Sequence, residues 1–230
     1  MQTIAERLKS AYLRMEHATA NAHRPPKSVE LLAVSKTKPV SQITQAYEAG
    51  QRKFGENYVQ EGIDKIQQLA HLDDIEWHLI GPLQSNKTKI VAEHFHWVQS
   101  VDRLKIARRL NDQRPASMPP LNICIQINID DEQTKSGIAP DQLDEFIDTV
   151  KTLENLRLRG LMAIPKAQSS KTEQMHSLRQ LAELFRRYHT NLSDFDTLSV
   201  GMSNDLEQAI ECGSTMIRIG TAIFGPRNQP

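Results

Sequence analysis

The sequence predicts an α/β fold, a single (β/α)8 TIM barrel with an extra N-terminal helix. Short apolar runs alternate with amphipathic helical segments along the 230 residues, and strict alternation implies a parallel sheet. Eight such units in roughly 200–250 residues is the size of this barrel. No shift in composition divides the chain, so residues 1–230 are expected to form one domain. An open, doubly wound sheet is the competing architecture.

Eight segments have the composition of buried strands. Residues 31–34 form an apolar run of the length expected for a parallel strand covered on both faces. Isoleucines alternate at positions 123, 125, 127 and 129, which is the clearest strand pattern in the chain. The predicted strands are 29–35, 53–57, 76–80, 97–101, 121–129, 156–164, 198–200 and 216–219.

Helical periodicity occupies the segments before and between these strands. The predicted helices are 2–22, 40–50, 58–72, 85–95, 102–114, 140–153, 171–188 and 204–211, followed by a frayed tail at 225–230. After the eighth strand, 230 − 219 = 11 residues remain, which is too few for a full closing helix. The first helix is therefore expected to cover that gap and to bury Ile4, Leu8 and Tyr12.

Composition excludes several classes of protein. Lys and Arg balance Asp and Glu at 28 each, so no bulk positive field attracts nucleic acid or an anionic membrane. No apolar run approaches the roughly 18–20 residues of a membrane span, and the N-terminus has no apolar signal core. Cys124 and Cys212 lack metal or redox spacing. These features predict a cytoplasmic protein without a bound metal, and polar helix faces predict a monomer.

The first strand opens into a loop at Lys36. Pro39 cannot donate to a strand ladder, so the strand has ended before it. Partial desolvation at the end of a buried strand favours the neutral amine, which is the form that attacks carbonyls and makes Schiff bases. A lysine that snorkels into solvent without a chemical role is the alternative interpretation.

The last two strands lead into turns that carry glycines and hydroxyls. Gly201, Met202 and Ser203 follow the seventh strand, and Gly220 and Thr221 follow the eighth. Each turn alone resembles an ordinary helix cap. The loops after strands 7 and 8 are the usual phosphate site of this barrel, so the two turns together predict a phosphate cradle.

Arg218 alternates with Ile217 and Ile219, so its side chain is expected to point into the barrel. A buried guanidinium needs an acceptor. Glu56 or Glu76 could supply an internal carboxylate, and an acceptor on a ligand ring is the other interpretation. A reactive lysine, a phosphate cradle and an inward arginine together describe an aldehyde, a phosphate and an aromatic nitrogen on one ring, which is pyridoxal 5'-phosphate (PLP).

The chain resembles the YggS/PROSC family of PLP homeostasis proteins over nearly its whole length. The matching stretches are 33–38 (AVSKTK), 54–61 (FGENYVQE), 77–87 (WHLIGPLQSNK), 160–165 (GLMAIP), 201–203 (GMS) and 218–225 (RIGTAIFG). Val200 departs from the pattern, since the family usually has methionine there. The resemblance implies a PLP fold-type III barrel similar to the N-terminal domain of alanine racemase.

Seven residues of this chain match the family's cofactor-binding positions: Lys36, Asn57, His78, Ser203, Arg218, Gly220 and Thr221. The resemblance implies that Lys36 holds PLP as an internal aldimine and that Arg218 faces the pyridine nitrogen. It also implies that the loops after strands 7 and 8 bind the phosphate, and that Asn57 and His78 lie near the ring. From its own position in the third strand, His78 is equally well explained as a hydrogen-bonded core histidine.

The resemblance also implies a carrier that buffers or delivers PLP and influences amino- and keto-acid balance, rather than an enzyme. An arginine cation facing the ring nitrogen disfavours its protonation and weakens the ring as an electron sink. Apo forms of PLP-dependent enzymes are the candidate protein partners. The alternative is a small PLP-dependent amino-acid racemase acting through Lys36. Racemases of this fold carry a second β domain, and the chain is expected to lack one because it ends soon after the eighth strand.

Overall fold

Eight parallel strands close into a barrel in sequence order, with the eighth strand paired to the first. The structure is a computed structural model that describes residues 2–130, 136–166 and 170–226. The predicted TIM barrel is confirmed, and pairing between the first and last strands rules out the open sheet. The strands are β1 (Glu30–Val34), β2 (Lys53–Glu56), β3 (Glu76–Leu79), β4 (Trp97–Val101), β5 (Leu121–Gln126), β6 (Leu156–Met162), β7 (Thr197–Ser199) and β8 (Met216–Ile219).

Helices surround the barrel and bury their apolar faces against the strands. They are α1 (Ile4–Asn21), α2 (Val40–Glu48), α3 (Val59–Gln68), α4 (Thr88–His94), α5 (Leu104–Gln113), α6 (Leu143–Val150), α7 (Lys171–His189), α8 (Leu206–Cys212) and the single turn α9 (Thr221–Phe224). Short 3-10 turns at Ser85–Lys87 and Pro140–Gln142 precede α4 and α6. The assignment of all 230 residues to one domain stays a prediction.

Several elements are shorter than predicted, and at two ends the contacts show why. β5 ends at Gln126 because Ile127 instead forms an isolated bridge with Ile138. The predicted frayed tail is held at its start, since the Lys38 ammonium donates to the carbonyl oxygens of Gly225 and Pro226, at 3.1 and 2.6 Å. Residues 227–230 of that tail lie outside the described residues.

The N-terminal helix occupies the position of a closing barrel helix. α1 packs against α8, α9 and α2, and its Thr3 side chain and Glu6 form a capping box at the start. Ile4 and Leu8 are buried as predicted. Tyr12 is only half-buried, because its hydroxyl reaches the edge of the barrel and donates to Gln51 Oε1 at 2.7 Å.

The barrel interior has apolar layers and a polar layer. Leu32, Ile80 and Met216 form one buried apolar cluster, and a second is formed by Trp97, Cys124 and Met162. Buried polar side chains on β3, β4, β7 and β8 lie among them: His78, Gln99, Ser199 and Arg218. None of the described helices is both long enough and apolar enough to cross a membrane.

Candidate functional site

The predicted site residues gather at the carboxyl ends of β7, β8, β1 and β2, which are consecutive neighbours around the barrel. Six of the seven lie on this arc: Lys36, Asn57, Ser203, Arg218, Gly220 and Thr221. His78 lies outside it, within β3. The functional end of this barrel type is the carboxyl end of the strands, so the fold places these residues where ligands bind.

Lys36 is half-buried in a turn directly after β1. The next residue, Thr37, adopts φ = 61°, a left-handed conformation that is strained for a β-branched side chain. Two hydrogen bonds hold the turn: the Thr37 N–H donates to Glu61 Oε1 at 2.6 Å, and the Lys38 N–H donates to the Ser35 carbonyl at 3.1 Å. Strain of this kind persists only where its surroundings enforce it, so the direction of Lys36 is set by its neighbours.

A buried charge cluster enforces the Lys36 turn. The Lys65 ammonium lies 2.8 Å from the Ser35 carbonyl oxygen, 2.9 and 3.0 Å from the two oxygens of Glu56, and 2.6 Å from Glu61 Oε1. The Ser35 hydroxyl also donates to Glu56 at 2.6 Å. Burial raises the pKa of Glu56, while the Lys65 charge and these hydrogen bonds oppose that rise. Charged groups therefore hold the backbone on both sides of Lys36.

The sequence prediction missed this cluster. Glu61 and Lys65 are spaced i, i+4 on α3, which is the pattern of an ordinary exposed helix pair. The available signal was the apolar surroundings of Glu56, because a carboxylate at the end of a buried strand requires a partner.

The two predicted phosphate turns are closely packed, and the second of them lies against the end of β1. Gly201 adopts φ = 103°, and a Cβ atom there would lie 2.6 Å from the Ala209 side chain, so glycine is required. The Gly201 carbonyl accepts a 2.9 Å hydrogen bond from the Arg218 backbone N–H. At the second turn, a Cβ atom on Gly220 would lie 3.1 Å from the Val34 carbonyl oxygen. Both turns thus pack closely at the end of the barrel that carries Lys36.

The N-terminal helix anchors the first of these turns. Arg14 of α1 donates to the Ser203 carbonyl at 2.8 Å and makes a two-point contact with the Glu207 carboxylate, at 2.6 and 2.7 Å. A planar guanidinium suits this geometry because it presents several fixed donors. α1 therefore both covers the barrel and holds the Ser203 loop, a role that its periodicity alone did not predict.

Arg218 points into the barrel as predicted, with only 4% of the residue exposed. Its guanidinium donates to the Ser199 carbonyl at 2.7 Å, to the Ser199 hydroxyl at 2.8 Å and to the Ala163 carbonyl at 2.9 Å. Neither predicted carboxylate is its partner, because Glu56 binds Lys65 and Glu76 binds His78. Burial lowers the pKa of Arg218 to about 10, so it is a cation at neutral pH.

The contacts of Arg218 bear on whether the candidate site can hold PLP. Within the described part of the chain, Arg218 forms no ion pair with a carboxylate, and its acceptors are neutral groups. A buried cation that makes no direct ion pair suits a ligand that supplies an acceptor or a negative charge. The close-packed glycine turns and the half-buried amine complete a set of groups that fits a phosphorylated pyridine aldehyde.

His78 is fully buried, and protein groups occupy both of its ring nitrogens. Nε2 lies 2.8 Å from Glu76 Oε1, and Nδ1 lies 2.9 Å from the Gln99 side-chain nitrogen. The ring also stacks on Trp97, with a centroid distance of 4.9 Å. Burial lowers the pKa of His78, so the imidazole is neutral at pH 7. Contact between His78 and a ligand stays a prediction.

A separate groove of about 680 Å³ lies at the opposite end of the barrel, between α1 and the first residues of β1 and β2. Tyr12, Met15, Leu31 and Gln51 are among the residues that line it. None of the seven predicted site residues does, so the groove is distinct from the candidate site.

Comparisons with known proteins identify the family of this chain. A family model for the N-terminal domain of alanine racemase matches residues 12–228. A protein of Escherichia coli named pyridoxal phosphate homeostasis protein is 55% identical over 230 residues, which cover 99% of this chain and 98% of the relative.

Solved structures extend the comparison. PipY of Synechococcus elongatus is 37% identical, and the match covers 97% of this chain and 100% of PipY. Its TM-score is 0.85 without PLP and 0.83 with PLP bound. Alanine racemase of Corynebacterium glutamicum has a TM-score of 0.70 at 13% identity, covers 98% of this chain and 61% of the racemase, and so shows the fold alone. The chain belongs to the alanine racemase N-terminal domain family and, within it, to the pyridoxal phosphate homeostasis proteins.

Proposed function

We propose that this protein binds PLP through Lys36 and acts as a PLP carrier in cofactor homeostasis, without catalytic turnover of its own. The observation that carries the proposal is the convergence of three groups on one arc of the barrel mouth: the Lys36 turn, the glycine turns at 201 and 220, and the buried Arg218. Full-length similarity to the curated homeostasis proteins and to PLP-bound PipY supports it.

Each residue has a distinct part in this proposal. When bound, PLP supplies an aldehyde that condenses with an amine and a pyridine ring that withdraws electrons. Lys36 provides the amine, and the enforced turn aims it at the mouth. Ser203, Gly220 and Thr221 hold the phosphate, and Arg218 donates to the ring nitrogen. Asn57 lies beside the ring at the end of β2.

The charge on Arg218 favours a carrier over an enzyme. A cation facing the pyridine nitrogen keeps that nitrogen unprotonated, because like charges repel. The ring is then a weak electron sink, which disfavours carbanion chemistry at a bound amino acid. The curated relatives are likewise named homeostasis proteins. An amino-acid racemase acting through Lys36 is the second candidate, and the shared barrel of alanine racemase favours it.

Spectroscopy tests the binding proposal. Protein incubated with PLP and then gel-filtered is expected to absorb in the visible region, and borohydride reduction is expected to fix the cofactor on Lys36, as seen by peptide mass mapping. Lys36→Ala is expected to lose both signals. Lys105→Ala, which removes an exposed lysine of α5, is the matched control and should retain them. Equal labelling of wild type and Lys36→Ala would contradict the proposal.

Incubation of the loaded protein with L-amino acids separates the two candidates. The carrier proposal expects no Lys36-dependent D-isomer. Formation of the D-isomer at more than about 1 s⁻¹ would be in the range of enzymes and would establish the racemase instead.

The rim of the barrel mouth supports delivery of PLP to another protein. Three of the four large apolar side chains exposed in the described part of the chain lie at strand ends around the mouth: Tyr58, Ile164 and Met202. Exposed apolar side chains around a ligand opening suit contact with another protein. We propose that an apo PLP-dependent enzyme docks here, where the cofactor must leave.

The rim is tested by the rate at which PLP moves to an apoenzyme. Serine at Tyr58 and Ile164 together should slow transfer several-fold and leave the affinity for PLP unchanged, with Met202 kept because it lies in the proposed phosphate turn. Leu13→Ser, at the fourth exposed apolar residue, should have no effect because it lies on α1. Equal transfer by both variants would contradict docking at the rim. Cytoplasmic location and a monomeric state stay predictions.

A further inference from the structure

A continuous chain of hydrogen bonds runs from Arg218 down through the barrel interior. The Arg218 guanidinium lies 2.8 Å from the Ser199 hydroxyl, and that hydroxyl lies 2.6 Å from Gln99 Oε1. The Gln99 side-chain nitrogen lies 2.9 Å from His78 Nδ1, and His78 Nε2 lies 2.8 Å from Glu76 Oε1. Four strands, β8, β7, β4 and β3, contribute to this chain.

The two ends of this hydrogen-bond chain and the neutral state of His78 together determine the direction of every hydrogen bond in it. An arginine is only a donor and an ionised carboxylate is only an acceptor. Desolvation alone would raise the pKa of Glu76, but the hydrogen bond from His78 and the charge of Lys53 lower it to about 2, so Glu76 is ionised at neutral pH. Because His78 between them is neutral, the protons point from Arg218 towards Glu76 throughout.

The middle residues then have one consistent arrangement. His78 carries its proton on Nε2 and accepts at Nδ1, so the Gln99 amide donates to it. Gln99 Oε1 in turn accepts the Ser199 proton, which leaves the Ser199 oxygen to accept from Arg218. The second hydrogen of the Gln99 amide is directed at Met216 Sδ, at 3.2 Å, which further holds the amide in this orientation.

We propose that Gln99 is a positioning residue for ligand binding, which acts through Ser199 to hold the Arg218 guanidinium towards the barrel mouth. This inference rests on the proposed function and extends it to residues that do not touch the ligand. It also assigns His78 an indirect part, as the neutral acceptor that orients Gln99, rather than contact with the PLP ring.

The hydrogen-bond chain does not depend on a bound ligand, so NMR of the unliganded protein tests whether it is present. Long-range ¹H–¹⁵N spectra at pH 7 are expected to show His78 as the neutral Nε2–H tautomer. Gln99→Leu removes the donor to Nδ1 and is expected to shift that nitrogen's resonance. A protonated His78, or a wild-type Nδ1–H tautomer, would overturn the inferred direction of the chain.

Two ligands separate positioning of Arg218 from general damage to the site. Inorganic phosphate reports on the glycine turns, whereas PLP reports on those turns and on Arg218 together. Gln99→Leu and Ser199→Ala are expected to weaken PLP binding about tenfold, the size of one lost charged hydrogen bond. Both variants should leave phosphate affinity within about twofold of wild type. Ser199→Ala removes one atom, so it keeps the test available if Gln99→Leu does not fold.

Ser100→Ala is the matched control, because Ser100 follows Gln99 in β4 but donates to the Gly81 carbonyl, outside the chain. It should change neither PLP affinity nor the His78 tautomer. Equal loss of phosphate and PLP affinity in Gln99→Leu and Ser199→Ala would make Gln99 merely structural and overturn the proposal. If the wild-type protein bound no PLP, the proposed function would be wrong. The tautomer of His78 would then still show whether the hydrogen-bond chain is present.

Discussion

The Lys65 ammonium lies 2.8 Å from the carbonyl oxygen of Ser35, the residue that precedes Lys36. The same ammonium neutralises Glu56, whose carboxylate is fully buried. Lys65 thus connects the fold of the barrel to the direction of the proposed reactive amine, because one side chain serves both.

Replacing Lys65 with methionine should destabilise the protein strongly. The change leaves Glu56 as a buried charge without its cation, and breaking such a pair costs about 3–5 kcal/mol. Urea unfolding at pH 7 measures it, and Lys105→Met, at an exposed position of α5, should stay within about 0.5 kcal/mol of wild type. A loss below about 1 kcal/mol for Lys65→Met would show that the pair is dispensable.

The backbone of Thr37 predicts a contrast between two substitutions. At φ = 61° a valine keeps the β-branched strain, whereas a glycine removes it. Thr37→Gly should therefore be more stable than Thr37→Val by about 1–2 kcal/mol in denaturant unfolding. A valine variant as stable as the glycine variant would mean that the turn relaxes without the left-handed conformation.

Hydrophobic alternation was sufficient to predict which face of β8 carries Arg218, because side chains on a strand alternate between two faces. It could not predict the partners. Ser199 lies 19 residues away in sequence, and Gln99 lies a further 100 residues away from Ser199. The pattern along one strand specifies whether a side chain points into the barrel or out of it. Which side chains meet inside the barrel depends on the register of strands that are far apart in the chain.

Lys65 shows a second limit of pattern-based inference. On α3 it lies one turn after Glu61, as in a solvent-exposed helix pair, yet it is buried against the end of β1. Lys65 is buried because the tertiary fold brings the Glu56 carboxylate within ion-pair distance of its ammonium. The residues proposed to bind the ligand lie at or near strand ends, where fold geometry predicts a site. The residues that hold them in place are recognisable only when the strands and helices are assembled.

The packing of α1 predicts opposite outcomes for two leucines of one helix. Leu8 is 2% exposed and faces the barrel, so Leu8→Ala should cost about 2–5 kcal/mol. Leu13 is 45% exposed, and Leu13→Ala should change stability by no more than about 0.5 kcal/mol. Deletion of residues 1–20 should lower the melting temperature sharply, and an unchanged melting temperature would contradict the closing role of α1.

The contact between Arg14 and Ser203 predicts that α1 affects ligand binding at a distance. Arg14→Met frees the Ser203 carbonyl and should weaken binding of inorganic phosphate about threefold in calorimetry. Stability should change by less than about 1 kcal/mol, because the Arg14–Glu207 pair is partly solvent-exposed. Glu207→Gln keeps the contact with Ser203 and should bind phosphate as wild type does. Equal weakening in both variants would assign the effect to the ion pair instead.

Burial of a neutral histidine predicts how stability changes with pH. Burial lowers the pKa of His78 below its usual value near 6.5, with hydrogen bonding to Glu76 opposing the change. Below pH 6.5 the unfolded chain therefore binds a proton that the folded protein does not, so stability is present above that pH and is lost on acidification. One such group contributes up to about 1.4 kcal/mol per pH unit. Burial also lowers the pKa of His96, which should add to the same loss.

Unfolding of wild type and His78→Gln at pH 7 and pH 5 measures this contribution. The wild type should lose more stability than His78→Gln, because glutamine does not titrate and removes one of the two imidazoles whose pKa burial lowers. Glu76, whose pKa is lowered to about 2, affects stability only below its unfolded value near 4.5, so it does not enter this range. His71→Gln, at an exposed position, should keep the full wild-type difference. An equal loss in wild type and His78→Gln would mean that His78 takes up a proton in the folded barrel, which would also reverse the hydrogen bond from Gln99.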